Sequence, residues 1–256
     1  MHTHNQESQD SLTPADALKI LKEGNARFCS NLKADRDHLQ QVNETRNGQW
    51  PFAAVLSCID SRTSAELIFD QGLGDIFSIR IAGNCLNDDI LGSLEFSCAV
   101  AGAKLVVVLG HSKCGAIRGA CDGVELGHLT GLLQKIQPAV DAVSGRCDPK
   151  SRTAENEDFV QEVARENVRR AGAGITERSG ILRDLQAKGA IDVVGGMYDI
   201  TSGKVEYFSL AERISRQRSA ATARASERVR TSTSREAVSE NLPIRPSVPS
   251  GVRWID

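Results

Sequence analysis

The stretch KLVVVLG, residues 104–110, indicates the fold class of this chain. Its apolar character is continuous instead of alternating, as expected for a strand that is covered on both faces, and such strands are typical of parallel sheets. Two other strands are predicted before it, one over residues 52–57 and one over IFSIRIA, residues 76–82. Because helical stretches alternate with these strands, the sequence predicts an α/β fold with a mostly parallel central β-sheet flanked by helices.

The remaining elements follow from caps, spacing and turns. Thr13 is a helix cap, Pro14 suits the first helical position, and apolar residues then recur at helical spacing as far as Phe28. Further helices are predicted over residues 64–70, from residue 88 or 89 to about residue 101, and, as two or three helices, between about residues 115 and 188. Two stretches near residue 200, DVVGGMYDI and KVEYFSL, predict a closing strand pair.

Composition limits the classes of function. The chain has 256 residues, of which 40% are apolar and 25% charged, which is typical of a globular protein. Its net charge of −2 gives no strong attraction to nucleic acid or to an anionic membrane. No apolar stretch reaches the roughly 18 residues of a membrane span, and the first residues do not resemble a secretory signal. We therefore expect a cytoplasmic protein whose seven cysteines are thiols or metal ligands.

Three segments are predicted along the chain. Residues 1–12 are expected to form a mobile N-terminal arm, residues 13–211 the folded domain, and residues 212–256 a tail. The tail holds nine arginines and five acidic residues, and its only aromatic residue is Trp254. Such a composition buries little apolar surface, so we expect the tail to be disordered. It is either a solvated extension or an arm that binds a partner or nucleic acid.

Three candidate metal ligands stand at the ends of two predicted strands. Cys58 follows the strand over residues 52–57, and His111 follows the strand over residues 104–110. In open α/β sheets functional groups collect beyond the carboxyl ends of strands, so these side chains converge if the strands are neighbours. Cys114, three residues after His111 at a helix start, is expected on the same helix face, where the helix end favours a thiolate. Two thiolates and an imidazole form a zinc set, and a free fourth position is typical of a catalytic site.

An acidic and a basic residue follow the first candidate ligand. Asp60 is two residues beyond Cys58, so in an extended stretch the two side chains point the same way. Arg62 continues this alternation and is able to hold Asp60 in a two-point ion pair. On an ordinary surface such a pair contributes little to stability. Beside a metal, Arg62 is predicted to keep Asp60 away from the fourth position, so that Asp60 accepts the proton of metal-bound water.

Two motifs resemble the signatures of the β-class carbonic anhydrases. They are CIDSR, residues 58–62, and GHSKCG, residues 110–115, and the resemblance extends over roughly residues 13–210, including LKEGNARF and ILGSLEF. It implies one zinc ion per chain, bound by Cys58, His111 and Cys114, and a catalytic dyad of Asp60 and Arg62. It also implies the reversible hydration of CO2 to bicarbonate and a proton by zinc-bound hydroxide.

The same resemblance implies a substrate pocket and an assembly. The pocket is expected to comprise Gln49, Phe77, Ala82, Phe96 and Gly115. Gln49 is expected to reach the site from the partner subunit, since the family forms homodimers or dimers of dimers. Phe96 and Ala82 stand where plant members have Tyr and Val, which reshapes the expected pocket wall.

Three other functions share parts of this pattern. A hydrolase of CS2 or COS uses nearly the same chemistry and differs only in the shape of its pocket and the access to it. A zinc deaminase needs a Glu two residues after its zinc-binding His and a P-C-x-x-C pair, but Lys113 occupies that position and the pair is absent from the sequence. A non-catalytic zinc scaffold with a partner-binding tail is expected to have a closed zinc site or a broken dyad, and the sequence shows neither.

Overall fold

The computed structural model describes residues 3–210, which contain one five-stranded sheet with helices on both faces. The strands are β1 Ala53–Ser57, β2 Ile76–Arg80, β3 Leu105–His111, β4 Asp192–Tyr198 and β5 Val205–Phe208. The helices are α1 Gln6–Asp10, α2 Pro14–Cys29, α3 His38–Thr45, α4 Ala65–Ile68, α5 Asp88–Glu95, α6 Gly115–Cys121, α7 Gly127–Leu133, α8 Gln137–Ser144, α9 Glu157–Arg178 and α10 Gly180–Ala187. The predicted tail, residues 212–256, lies outside the described residues.

The strand order is β2-β1-β3-β4-β5, and only the last pair, β4 with β5, is antiparallel. The predicted mostly parallel sheet and the closing strand pair are therefore confirmed. Ser57, the last residue of β1, is in register with Arg80 of β2 and with Leu109 of β3. The carboxyl ends of these three strands consequently meet at one edge of the sheet, where β1 and β3 deliver the candidate ligands.

Both faces of the sheet are covered, which explains the continuous apolar run of β3. Every residue of β3 is buried. Val106 and Val108 pack in one cluster together with residues of α9, such as Val168. Leu105, Val107 and Leu109 pack in a second cluster on the opposite face, which includes residues of α2. Because successive strand side chains point to opposite faces, a strand between two helix layers needs apolar residues at every position.

The first long helix begins where the sequence predicts. The Thr13 side chain accepts a hydrogen bond from the backbone of Asp16 at 3.2 Å, and the Asp16 carboxylate accepts one from the backbone of Thr13 at 3.0 Å. This reciprocal pair is a capping box. The helix predicted from residue 88 or 89 also forms, but α5 ends at Glu95 and continues as a π-helical turn over Phe96–Val100.

Two short helices, α1 and α3, were not predicted, and the prediction of two or three helices between about residues 115 and 188 was wrong, because five helices, α6 to α10, occupy that segment. Helix α1 lies within the predicted N-terminal arm, and its buried Gln9 donates to the carbonyl oxygens of Pro51 at 2.7 Å and Ala101 at 2.8 Å. This part of the arm thus contacts the domain, while the mobility of the arm stays a prediction. Between residues 3 and 210, no helix has both the length and the apolar character needed to cross a membrane.

Candidate metal centre

Strands β1 and β3 bring the three candidate ligands together. Cys58 directly follows β1, His111 is the last residue of β3, and Cys114 precedes α6. Their ligand atoms all lie within 4.8 Å of one another, and the two sulfur atoms are 3.9 Å apart. All three side chains are buried. The arrangement predicted from two separate strand ends is therefore formed within one chain.

The route by which His111 and Cys114 meet differs from the prediction of a shared helix face. His111 belongs to a strand, and Cys114 is the N-cap of α6. The chain reverses between them through Lys113, whose φ of 55° lies in the left-handed region. The prediction of a common helix face was wrong, because a turn and not a helix sets the spacing of these two ligands.

The His111 ring is oriented by its neighbour. Its Nδ1 lies 2.9 Å from the carbonyl oxygen of Ser112, which only accepts hydrogen bonds, so Nδ1 carries the proton. Nε2 is then a free acceptor, and it is buried without a hydrogen-bond partner. An unpartnered buried nitrogen is costly, and a metal ion beside two thiols would satisfy it. Two sulfurs and one imidazole nitrogen fit zinc.

The two cysteines differ in acidity. The pKa of Cys58 is lowered to about 4, chiefly because the Cys114 thiol donates a hydrogen bond to the Cys58 thiolate. The backbone N–H of Gly83, 3.3 Å from the Cys58 sulfur, acts in the same direction. The pKa of Cys114 is raised by that same hydrogen bond and by burial, which outweigh the backbone N–H groups at the start of α6. The predicted effect of the helix end is therefore present at Cys114, since these N–H groups lower its pKa, but the hydrogen bond to Cys58 and burial act more strongly in the opposite direction.

Asp60 and Arg62 form a two-point ion pair. Nε of Arg62 is 3.0 Å from one oxygen of Asp60, and a terminal guanidinium nitrogen is 2.8 Å from the other. The backbone N–H of Arg62 also donates to Asp60, at 2.9 Å. These bonds lower the pKa of Asp60 to about 2, with the Arg62 side chain as the largest cause, so the carboxylate is charged at neutral pH. The prediction of an extended stretch here was wrong, because Asp60 and Arg62 lie in a turn. In this turn the backbone N–H of Thr63 donates to the carbonyl oxygen of Asp60.

Two polar residues that the sequence did not single out hold the backbone of this segment. Arg80 donates to the carbonyl oxygens of Cys58 at 3.0 Å and Asp60 at 2.6 Å. The Thr63 hydroxyl lies 3.1 Å and 2.9 Å from the same two oxygens. Arg80 is the last residue of β2 and is in register with the last residue of β1, so its place beside the candidate ligands could have been predicted from the sheet. No sequence pattern predicts the contacts of Thr63.

The predicted pocket residues lie on several elements. Phe77 of β2 and Phe96 of the π-helical turn contact each other edge to face, with ring centroids 6.1 Å apart. Ala82 opens a 3-10 turn, Ala82–Asn84, and Gly115 begins α6 directly after Cys114. Gln49 is exposed in the loop between α3 and β1. The structure thus joins the two phenylalanines, while the pocket role of all five residues stays a prediction.

Comparisons with known proteins agree on one family. A family model described as carbonic anhydrase matches residues 53–205. Carbonic anhydrase 2 of Mycobacterium tuberculosis is 36% identical over 200 residues, which cover 75% of this chain and 91% of that protein. The structure of the β-carbonic anhydrase CafA of Aspergillus fumigatus aligns with a TM-score of 0.59 at 26% identity, over 77% of this chain and 91% of that one. One of two tetrameric β-carbonic anhydrases from Sordaria macrospora shares the fold, with a TM-score of 0.57 at 22% identity over 66% of this chain and 90% of that one.

Proposed function

The chain belongs to the β-class carbonic anhydrase family, and we propose that it catalyses the reversible hydration of CO2 to bicarbonate and a proton with one zinc ion per chain. The observation that carries the proposal is the buried group of Cys58, His111 and Cys114, together with the ion-paired Asp60 two residues after Cys58. Three ligands leave one position of a tetrahedral ion open, as catalysis requires.

The three ligands are prepared for a divalent cation. Zinc, when bound, supplies a Lewis acid that lowers the pKa of a water molecule toward neutrality. The Ser112 carbonyl holds the proton of His111 on Nδ1, so that Nε2 faces the site as a ligand. The lowered pKa of Cys58 provides one thiolate at neutral pH, and Cys114 loses its proton when the metal binds.

Asp60 is proposed to accept a hydrogen bond from the attacking water. Its pKa of about 2 makes it a weak base, so its role is to accept a hydrogen bond and orient the water and not to store the proton. Arg62 engages both carboxylate oxygens and prevents the side chain from turning to the metal. The proton leaves to solvent or buffer.

CO2 is apolar and is proposed to lie against an apolar wall. Phe77 and Phe96 form part of this wall through their edge-to-face contact, and Ala82 precedes the glycine that contacts the Cys58 sulfur. Gln49, from the partner subunit, is proposed to donate to the developing bicarbonate oxygens. We also propose a homodimer or a dimer of dimers in the cytoplasm.

The test combines metal analysis with CO2 hydration by the full chain. We expect one zinc per chain, a hydration rate that rises with pH, and loss of the rate on treatment with a chelator. Cys58→Ser should lose zinc, whereas Cys98→Ser, which removes a buried thiol of the apolar core, should keep it. A Cys58→Ser protein with a full equivalent of tightly bound zinc would contradict the metal site. Parallel assays with CS2 and COS separate hydration from the rival hydrolase activity.

A further inference from the structure

A buried asparagine reaches the metal centre through one glycine. Asn167 of α9 is only 5% exposed, and its side-chain amide donates to the carbonyl oxygen of Gly83 at 2.8 Å. The N–H of the same Gly83 points at the sulfur of Cys58, 3.3 Å away. Asn167 and Cys58 therefore both form hydrogen bonds with Gly83: Asn167 donates to its carbonyl oxygen, and the Cys58 sulfur accepts from its N–H.

Gly83 adopts a backbone conformation that glycine does not intrinsically prefer over its other allowed conformations. Its φ of 65° lies in the left-handed region. A Cβ at this position would be strained by this φ and would lie 2.7 Å from Cδ1 of Ile136 and 3.3 Å from Cβ of Ala116. Because glycine adopts many backbone conformations, a separate contact is needed to fix this one. The sulfur of Cys85, 3.8 Å from the Gly83 oxygen, is a much weaker donor than the Asn167 amide.

We propose that Asn167 is a positioning residue for the metal centre: it fixes Gly83 so that the Gly83 N–H donates to the Cys58 thiolate. An N–H hydrogen bond stabilises the charged sulfur and fixes the direction of its lone pairs. Partners behind a ligand typically change metal affinity or activity by about 10–100-fold when they are removed. The proposal rests on the proposed zinc function, and it assigns to α9 a role in that site besides its packing against the sheet.

The test compares two buried asparagines in the full chain. Asn167→Leu removes the donor to Gly83. Asn25→Leu is the matched control, because Asn25 is also buried and donates to two backbone carbonyls, at 3.1 and 2.8 Å, that lie outside the metal centre. The readouts are zinc affinity by chelator competition and the thiolate-to-metal absorption band of the cobalt-substituted protein. We expect about tenfold weaker zinc binding and a shifted band for Asn167→Leu. Asn25→Leu should lower the melting temperature and change neither readout.

Each outcome decides the proposal. A folded Asn167→Leu protein with unchanged zinc affinity and an unchanged cobalt band would overturn it while leaving the proposed function intact. If the unmodified chain binds no zinc, the proposed function fails and takes this inference with it. Asn167→Asp keeps the shape without the amide donor and carries the test if Asn167→Leu does not fold. If both variants fail to fold, Asn167 is a structural residue and the positioning role is overturned.

Discussion

At the level of single residues, the proposed mechanism depends on a carboxylate, that of Asp60, which stays charged and does not itself become a metal ligand. Asp60 has three donors from Arg62, two from the guanidinium and one from the backbone. The backbone bond does not depend on the identity of the side chain at residue 62. A substitution of Arg62 therefore removes the two-point grip but leaves the turn that places Asp60.

Arg62→Ala is predicted to let Asp60 rotate and close the fourth position of the metal. Zinc should stay bound, while the hydration rate falls by roughly two orders of magnitude, the scale for losing a key electrostatic or proton-handling group. Arg62→Lys should restore only part of the rate, since an ammonium cannot make the planar grip. Asp60→Ala should lose activity without any gain in zinc affinity. The measurement is zinc occupancy with hydration rate for each variant.

A matched control is the exposed pair of Arg178 and Asp88, whose charged atoms are 2.6 Å apart. Arg178→Ala breaks an ion pair in which neither residue belongs to the candidate metal centre. It should leave the zinc content and the hydration rate unchanged. Near-normal hydration by Arg62→Ala would mean that Asp60 and Arg62 are only a surface ion pair, and the proposed division of roles would be wrong.

At the scale of elements, one buried carboxylate joins three segments. Asp70, just beyond α4, accepts from Arg27 of α2 and from Arg36, each at 2.6 Å, and from the backbone of Ala34 at 3.2 Å. Its side chain is 6% exposed and that of Arg36 is 5% exposed. This cluster fixes the loop between α2 and α3 against the end of α4. Breaking a buried pair on one side leaves an uncompensated charge, which is strongly destabilising.

Asp70→Asn is predicted to lower the free energy of unfolding by about 2–4 kcal/mol, somewhat less than the usual cost of breaking a buried pair, because Arg27 is partly exposed. Urea unfolding monitored by circular dichroism measures the change. Asp88→Asn is the control, since that carboxylate is exposed, and its effect should stay below about 0.5 kcal/mol. Equal changes in the free energy of unfolding for the two substitutions would show that the Asp70 cluster stabilises the fold no more than an exposed ion pair does.

The same cluster predicts a pH dependence of stability. Burial by itself raises the pKa of Asp70, but Arg27, the Ala34 amide and Arg36 together hold it below its ordinary value. A carboxyl whose folded pKa is depressed stabilises fully above its unfolded pKa of about 4 and loses this contribution as the pH falls through the folded value. The native chain should therefore lose stability below about pH 4, and Asp70→Asn should lose less.

The elements also show how far the sequence could predict the fold and the site. Continuous apolar stretches predicted the buried strands, and residues directly after two of them predicted Cys58 and His111 as neighbours. The short helices α1 and α3 lack a long apolar stripe and offered no periodic signal. The contacts of Gly83 and Asn167 join residues 84 positions apart, and no local pattern encodes such a pair. Packing of α9 on the sheet decides that contact.

At the scale of the whole molecule, one pocket residue stands apart from the others. Phe77, Ala82 and Gly115 lie on β2, on the turn after it and at the start of α6, and Phe96 begins the π-helical turn after α5, whereas Gln49 is exposed in the loop before β1. Phe96 and Val100, at the two ends of the π-helical turn, are 51% and 73% exposed. Large exposed apolar side chains beside a candidate pocket favour an interface. In a twofold dimer, each subunit would then complete the site of the other.

Complementation between two defective chains tests this arrangement. Cys58→Ser should bind no zinc, and Gln49→Ala should bind zinc but lose a donor to bicarbonate, at a cost of about 100-fold or more in rate. When the two variants are co-expressed with different tags and the mixed dimer is purified through both, one of its sites combines an intact Cys58 with the intact Gln49 of the partner subunit. That dimer should regain about half of the native rate, since one site of two is complete. If Gln49 serves its own chain, neither site is complete, and the mixed dimer, with a single zinc site that lacks Gln49, stays below the rate of the Gln49→Ala dimer. A native chain that remains monomeric at assay concentration, or a mixed dimer without recovery, would contradict the shared site.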